Sequence, residues 1–91
     1  MADVGVHIVV TGLVQGVGFR YFVARRAERL QLVGLVRNLP DGAVEIEAEG
    51  PRAMLEELIS EIRVGPRSAR VTDVRVGWFP AKHEITEFSI Q

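Results

Sequence analysis

Apolar and polar residues alternate along this chain with two different periods, and the order of these stretches predicts the fold. A period of two is typical of strands, and a period of about 3.6 is typical of amphipathic helices. The pattern predicts strand, helix, strand, strand, helix and strand, followed by a short closing strand. The helical stripes are Phe19, Phe22, Val23, Ala27 and Leu30 in the first helix, and Leu55, Leu58, Ile59 and Ile62 in the second.

The first predicted strand has apolar residues on one face and a mixture on the other, where His7, Val9 and Thr11 alternate with Val6, Ile8 and Val10. Because the mixed set is only partly polar, both faces are expected to be covered or nearly so, as in a central strand. His7 could serve as a ligand or a catalytic base. The alternative, a structural residue on the less apolar face, is the commoner role for a lone histidine.

A tight turn joins the second and third strands, predicted at 35–38 and 43–49. In Leu39-Pro40-Asp41-Gly42 the proline, aspartate and glycine stand where a type I turn closed by a left-handed glycine needs them, and this predicts an antiparallel hairpin. On the third strand the apolar residues are expected to face the core, and the glutamates Glu45, Glu47 and Glu49 to face solvent.

The second half of the chain repeats the helix-then-strand order. Gly50-Pro51 opens the second helix and Gly65-Pro66 ends it. A fourth strand follows at 73–78. Val71 has the wrong parity for that strand, which predicts a β-bulge or a strand start near Thr72.

With right-handed crossovers, these elements make an α+β sandwich of the ferredoxin-like βαββαβ type. Two helices are expected on one face of a four-stranded antiparallel sheet, and the short run Phe88–Ile90 is expected to extend an edge. Trp78 is expected to pack in the core or at the end of the sheet. His83 is expected to be an exposed, inert loop residue.

Composition excludes several function classes. Ninety-one residues are enough for one domain, 1–91, with a single core. A net charge of −1 disfavours a broadly basic nucleic-acid surface, and the absence of cysteine excludes disulfides, zinc thiolates and cysteine nucleophiles. No stretch is long and apolar enough for a membrane span, and the N-terminus does not resemble a signal peptide, so a cytoplasmic location is expected.

The glycine-rich stretch Gly12-Leu13-Val14-Gln15-Gly16-Val17-Gly18-Phe19-Arg20 joins the first strand to the first helix. Its glycines allow positive φ, and unpaired N–H groups at a helix N-terminus favour an anion, so the stretch predicts an oxyanion site, most simply for phosphate. Arg20 could then form a forked contact with that anion. Alternatively, the glycines make only a tight turn and Arg20 is a solvated surface arginine.

Known phosphate and RNA motifs do not account for this stretch. A Walker loop is absent, and Tyr21 occupies the third glycine position of the dinucleotide fingerprint. RNA binding through the sheet is rejected, because the third strand carries three glutamates and no aromatic residue. Asn38, at the end of the second strand, could act on a bound phosphate or simply cap the hairpin turn.

Two strings together resemble the signatures of the acylphosphatase family. They are Gly12-x-Val14-Gln15-Gly16-Val17-x-Phe19-Arg20 and Gly34-x-Val36-Arg37-Asn38-Leu39-x-Asp41-Gly42. The resemblance implies hydrolysis of acyl phosphates to a carboxylate and inorganic phosphate, without metal or cofactor. It also implies that Arg20 binds the phosphate and that Asn38 positions the attacking water. The phosphate-binding amides would be those of Gln15, Gly16, Val17, Gly18 and Phe19.

The resemblance also bears on partners. The expected ligands are a small acyl phosphate as substrate and inorganic phosphate as product. Because a small site open at the end of the sheet would select the phosphate more than the acyl part, broad acyl specificity is expected. The protein is expected to be a monomer that binds neither nucleic acid nor membrane. Similar domains occur within larger proteins that use carbamoyl phosphate, but this chain is expected to be free-standing. The alternative function is a binding module on the same scaffold that holds an anion without turning it over.

Overall fold

The predicted ferredoxin-like α+β sandwich is confirmed by the computed structural model, which describes residues 3–91. The elements are β1 (Val4–Leu13), α1 (Phe19–Arg29), β2 (Val33–Asn38), β3 (Val44–Gly50), α2 (Arg52–Val64), β4 (Arg70–Pro80) and β5 (Phe88–Ile90). The strand order is β4-β1-β3-β2-β5, and each neighbouring pair among β4, β1, β3 and β2 is antiparallel. β5 extends the edge by pairing parallel to β2.

The core lies between the sheet and the two helices, which share one face of the sheet. The apolar stripe of each helix meets the inward residues of the strands, and an ion pair between Arg26 and Glu61 (2.9 Å) joins α1 to α2. Neither helix in residues 3–91 is long and apolar enough to cross a membrane. The largest fully buried side chains are Phe19, Ile8, Ile46, Leu55, Leu58 and Ile62.

The helix-free face of the sheet departs from two predictions. β1 is central, between β3 and β4, but its mixed face is half-exposed because both helices pack against the other face. Glu49 was predicted to face solvent and is only 8% exposed. Its carboxylate accepts hydrogen bonds from the backbone N–H groups of Lys82 (3.1 Å) and His83 (3.0 Å), because the loop after β4 folds over it.

The predicted irregularity in β4 is a β-bulge. Thr11 pairs with Asp73 and Gly12 with Val71, so Thr72 is the extra residue of the bulged strand. Gly12 has φ +126°, and a Cβ there would lie 2.1 Å from the Arg70 carbonyl oxygen. The first glycine of the glycine-rich stretch therefore serves the close approach of two strands rather than the approach of a ligand.

Trp78, near the end of β4, lies outside the core. Its side chain is 38% exposed, and the Arg52 guanidinium at the start of α2 lies over the indole ring, 4.1 Å from the ring centroid. Of the two packing positions expected for this residue, the structure shows the one at the end of the sheet. Arg52 covers the ring there by a cation–π contact.

An ionic cluster joins three strands on the helix-free face. Glu45 of β3 accepts hydrogen bonds from His7 Nε2 of β1 (2.7 Å) and from Arg37 Nε of β2. His7 thus has the structural role expected of it, as a partner of a carboxylate. The hydrogen bond from His7, with a further contribution from Arg37, lowers the pKa of the Glu45 carboxyl below its usual value.

Replacing Glu45 by glutamine should therefore reduce stability in a pH-dependent way. A carboxyl whose pKa is lower in the folded chain than in the unfolded chain stabilises the fold above its unfolded pKa, and this stabilisation is lost as the pH falls through the folded value. We expect Glu45→Gln to melt below the wild type at about pH 7 and the difference to shrink towards about pH 3. Thermal melts followed by circular dichroism test this.

Glu57→Gln is the matched control, because this glutamate is exposed on α2 and no carboxylate contact of it is found within residues 3–91. It should shift the melting temperature little at either pH. A difference between Glu45→Gln and the wild type that stays constant with pH would contradict the role given to the ionised carboxylate.

Candidate active site

The glycine loop, the start of α1 and the end of β2 surround one cavity of about 260 Å³. The structure thus brings together Arg20 and Asn38, which are eighteen positions apart in the chain. Part of the wall comes from β5, the short strand at the sheet edge. The residues lining the cavity are Val14, Gly16, Gly18, Phe19, Arg20, Tyr21, Asn38 and Ile90.

The loop that precedes α1 presents backbone N–H groups without backbone partners. Within residues 3–91, no N–H of residues 15–19 donates to a backbone carbonyl outside a strand or helix. Gly18, the N-cap of α1, has φ 77° and no side-chain cap, and the first helical turn has no acidic residue. Unpaired amides together with the positive end of the helix dipole favour an anion at this place.

The loop is anchored on both sides of these amides. The Phe19 side chain is 1% exposed and packs in the core, while Val17 accepts a hydrogen bond on its carbonyl oxygen from Ser68 Oγ at 3.1 Å. By contrast, a Cβ added to Gly16 or Gly18 would meet no atom within 4 Å. The loop is therefore held from behind while its glycines leave space on the side of the cavity.

Gln15 supports the site from outside the cavity. Its side-chain Nε2 donates to the carbonyl oxygens of Leu39 (2.8 Å) and Ala43 (2.7 Å), in the turn that follows Asn38. Neither Gln15 nor Val17 belongs to the cavity lining. The sequence predicts a role only for the backbone amide of Gln15, and it does not indicate that the Gln15 side chain links the loop to the hairpin.

Arg20 is half-buried, and its guanidinium is bonded to the backbone rather than free in solvent. Its Nη1 donates to the carbonyl oxygen of Gln91 at 2.6 Å. The Gln91 N–H in turn donates to the Val36 carbonyl oxygen of β2 at 2.8 Å. Gln91 lies in neither sequence motif, and only the predicted closing strand before it indicated that this segment reaches the site.

Asn38 does not cap the hairpin turn. That role belongs to Asp41, whose Oδ1 accepts a hydrogen bond from the Ala43 N–H at 3.0 Å, and to the backbone bond from Gly42 N–H to Leu39 O at 3.2 Å. None of the side-chain hydrogen bonds found in residues 3–91 involves Asn38. Its exposed carboxamide is therefore available to a ligand or a water molecule in the cavity.

The chemistry of the cavity is that of an anion site. Arg20 is the one charged residue among those that line it, and it stands beside backbone amides and one carboxamide. Neither histidine lines the cavity, since His7 pairs with Glu45 and His83 lies in the loop after β4. In the part of the chain that the structure describes, no group of three or more acidic or histidine side chains could hold a metal ion.

Alanine in place of Gln15 should destabilise the protein by about 1–3 kcal/mol, because two turn carbonyls lose their hydrogen-bond donor. Urea unfolding measures this free energy. Gln15→Met keeps the length of the side chain without its donors and is the matched variant. If Gln15→Met were as stable as the wild type, the two hydrogen bonds would contribute nothing.

Fold and site together define a small α+β protein whose cavity is arranged to hold an oxyanion between a helix N-terminus and the end of a strand. Residues 6–90 match the model of the acylphosphatase family, and the chain belongs to that family. Its enzymatic activity is accordingly the hydrolysis of acyl phosphates to a carboxylate and inorganic phosphate.

Individual relatives agree in sequence and structure. The chain is 49% identical over 90 residues to an acylphosphatase of Chlorobaculum tepidum, covering 99% of this chain and 98% of that one. It superposes on the crystal structure of acylphosphatase from Bacillus subtilis with a TM-score of 0.94, 41% identity and coverage of 97% and 98%. It also matches full-length HypF with a TM-score of 0.87 and 32% identity, covering 98% of this chain but 12% of HypF.

Proposed function

We propose that this chain hydrolyses acyl phosphates by direct attack of water on phosphorus, with Arg20 binding the phosphate and Asn38 positioning the water. The observation that carries the proposal is the single cavity that the glycine loop, Arg20 and Asn38 line together. The N–H groups of Gln15, Gly16, Val17, Gly18 and Phe19 supply the remaining contacts to the phosphate oxygens. In this arrangement one oxyanion meets a guanidinium, several amides and a carboxamide.

These groups suit the charge that develops during phosphoryl transfer. The negative charge lies mainly on the three equatorial oxygens, so preorganised donors aimed at them stabilise the transition state. Arg20 offers a planar fork for two of these oxygens. Because the Arg20 guanidinium already bonds to Gln91 and the loop is anchored by Phe19, little reorganisation is needed when the phosphate binds.

The leaving group explains how so few side chains suffice. A carboxylate is a stable anion whose conjugate acid has a pKa of about 4, so it departs without a general acid. The water oxygen forms a bond to phosphorus while the bond from phosphorus to the acyl oxygen breaks, and the proton of the water passes to a phosphate oxygen. Asn38 holds the water in line with the departing carboxylate without acting as a strong base. No step in this scheme requires a metal ion or a cofactor.

Hydrolysis of benzoyl phosphate by the purified protein in the presence of EDTA tests the proposal. We expect turnover that is unaffected by the chelator and is inhibited competitively by inorganic phosphate. Loss of turnover in EDTA would overturn metal independence. Binding of phosphate without turnover would favour the alternative of an anion-binding module.

A cytoplasmic location, a monomeric state and the absence of nucleic-acid partners belong to the same proposal. The net charge of −1 supports the last of these, because it offers no broad attraction for a polyanion. Sedimentation equilibrium at several protein concentrations tests the monomer, which should show one mass at all of them.

A further inference from the structure

Two exposed apolar side chains flank Arg20 in the cavity wall. Tyr21 follows Arg20 in α1 and is 61% exposed, and Ile90 of β5 is 45% exposed. Ile90 directly precedes Gln91, whose carbonyl oxygen accepts the hydrogen bond from Arg20. In the proposed function Arg20 binds the phosphate. Tyr21 is its neighbour in the chain, and Ile90 is the neighbour of Gln91, to which the Arg20 guanidinium is hydrogen-bonded.

The apolar part of the cavity wall suits a ligand that carries an apolar group in addition to the oxyanion. The cavity of about 260 Å³ has more room than a phosphate group alone occupies. The polar groups, which are the amides, Arg20 and Asn38, suit the phosphate. Tyr21 and Ile90 then offer apolar surface that stays in contact with water unless the rest of the ligand covers it.

The position of the Tyr21 ring is restrained. The Arg25 guanidinium, one helical turn further along α1, lies over the ring at 5.7 Å from its centroid. This contact holds the ring by a cation–π interaction beside the cavity. A restrained ring presents a surface to a ligand at a smaller entropic cost than a freely rotating side chain.

We propose that Tyr21 and Ile90 form the acyl subsite, and that the enzyme prefers aromatic or branched aliphatic acyl phosphates to acetyl phosphate. This inference rests on the proposed function. It narrows the broad acyl specificity expected from the sequence. A large apolar acyl group gains binding free energy by covering both side chains, whereas the methyl group of acetyl phosphate is too small to cover both. The two residues determine specificity and take no part in bond making or breaking.

Comparison of kcat/KM for benzoyl phosphate and acetyl phosphate in the wild type and in Tyr21→Ala tests the subsite. The intrinsic reactivities of the two substrates cancel when the ratio of their kcat/KM values in a variant is divided by that of the wild type. We expect Tyr21→Ala to lower kcat/KM for benzoyl phosphate about fivefold, mainly through KM, and to change that for acetyl phosphate less than twofold. Ile90→Ala should act in the same direction, and Tyr21→Phe should keep the wild-type ratio.

Val64→Ala is the control, since Val64 is 80% exposed and does not line this cavity. Inhibition by inorganic phosphate should be the same in all variants, because phosphate does not reach the acyl subsite. Equal losses for both substrates in Tyr21→Ala would overturn the subsite while leaving the proposed function intact. Absence of turnover with both substrates in the wild type would overturn the proposed function, and the subsite with it.

Discussion

Alanine at position 38 is expected to lower kcat for benzoyl phosphate by a factor of about 100 or more, because in the proposed mechanism the attacking water loses the group that orients it. The expectation is specific to the chemical step. Asn38 is exposed at the end of β2, and within residues 3–91 its side chain takes part in none of the hydrogen bonds that hold the turn. The melting temperature and the inhibition constant of inorganic phosphate should therefore stay close to the wild-type values.

Asp41→Ala is the natural companion to this variant. Asp41 caps the same turn through its bond with the Ala43 N–H, so its removal should lower stability and affect kcat much less. Steady-state kinetics, phosphate inhibition and thermal melts on both variants separate the two roles. If Asn38→Ala weakened phosphate binding as much as turnover, Asn38 would be part of the binding site or of the fold rather than the residue that positions water.

Substitutions of Arg20 should differ from Asn38→Ala, because they should cause a large loss of phosphate binding. Hydrogen bonds to charged groups contribute about 1.5–3 kcal/mol, so Arg20→Ala should weaken binding of inorganic phosphate about 10- to 100-fold. Arg20→Lys should restore little of this, because an ammonium group lacks the planar fork that reaches two oxygens at once. Isothermal titration with inorganic phosphate measures the effect directly.

Arg29→Lys serves as the control for Arg20→Lys, since Arg29 lies in the same helix but does not line the cavity. It should leave phosphate affinity within about twofold of the wild type, as expected for exposed charges that interact through solvent. Phosphate affinity that survives both Arg20→Lys and Arg20→Ala would mean that the oxyanion binds elsewhere. Thermal melts confirm folding, and the bond from Gln91 N–H to Val36 should still hold the last residues in place.

The fold was predictable because its main determinants are local. Helical stripes, strand alternation and the Leu39–Gly42 turn each act over a few residues. The bulge at Thr72 is likewise predicted by a local feature, the parity of Val71 in the strand pattern. The errors concern distant partners. Nothing near Glu49 in the sequence indicates that Lys82 and His83, more than thirty positions later, supply two N–H donors to its carboxylate. Alternation likewise cannot tell how far the second face of β1 is covered.

In the candidate site, too, local features could be predicted from the sequence and contacts between distant residues could not. The glycine loop predicts an anion from its own backbone chemistry, and the resemblance of two motifs points to Arg20 and Asn38 together. The side chain of Gln15 and the carbonyl oxygen of Gln91 could not be assigned, because their partners depend on how the hairpin and β5 meet the loop. The sequence around Gln15 and Gln91 does not indicate such contacts, because one is simply a loop residue and the other follows the last strand.

The hydrogen bond between Arg20 and Gln91 joins residues 71 positions apart, and those from Gln15 span 24 and 28 positions. Contacts this distant in the chain form slowly, since the entropy of closing a long loop is lost before the contact returns any stabilisation. The cavity that Arg20 and Asn38 line therefore exists only after β2 and β5 have joined the sheet. During refolding from urea, enzymatic activity should therefore return only when the last strand pairs with the sheet. The glycine loop would have no activity before that step.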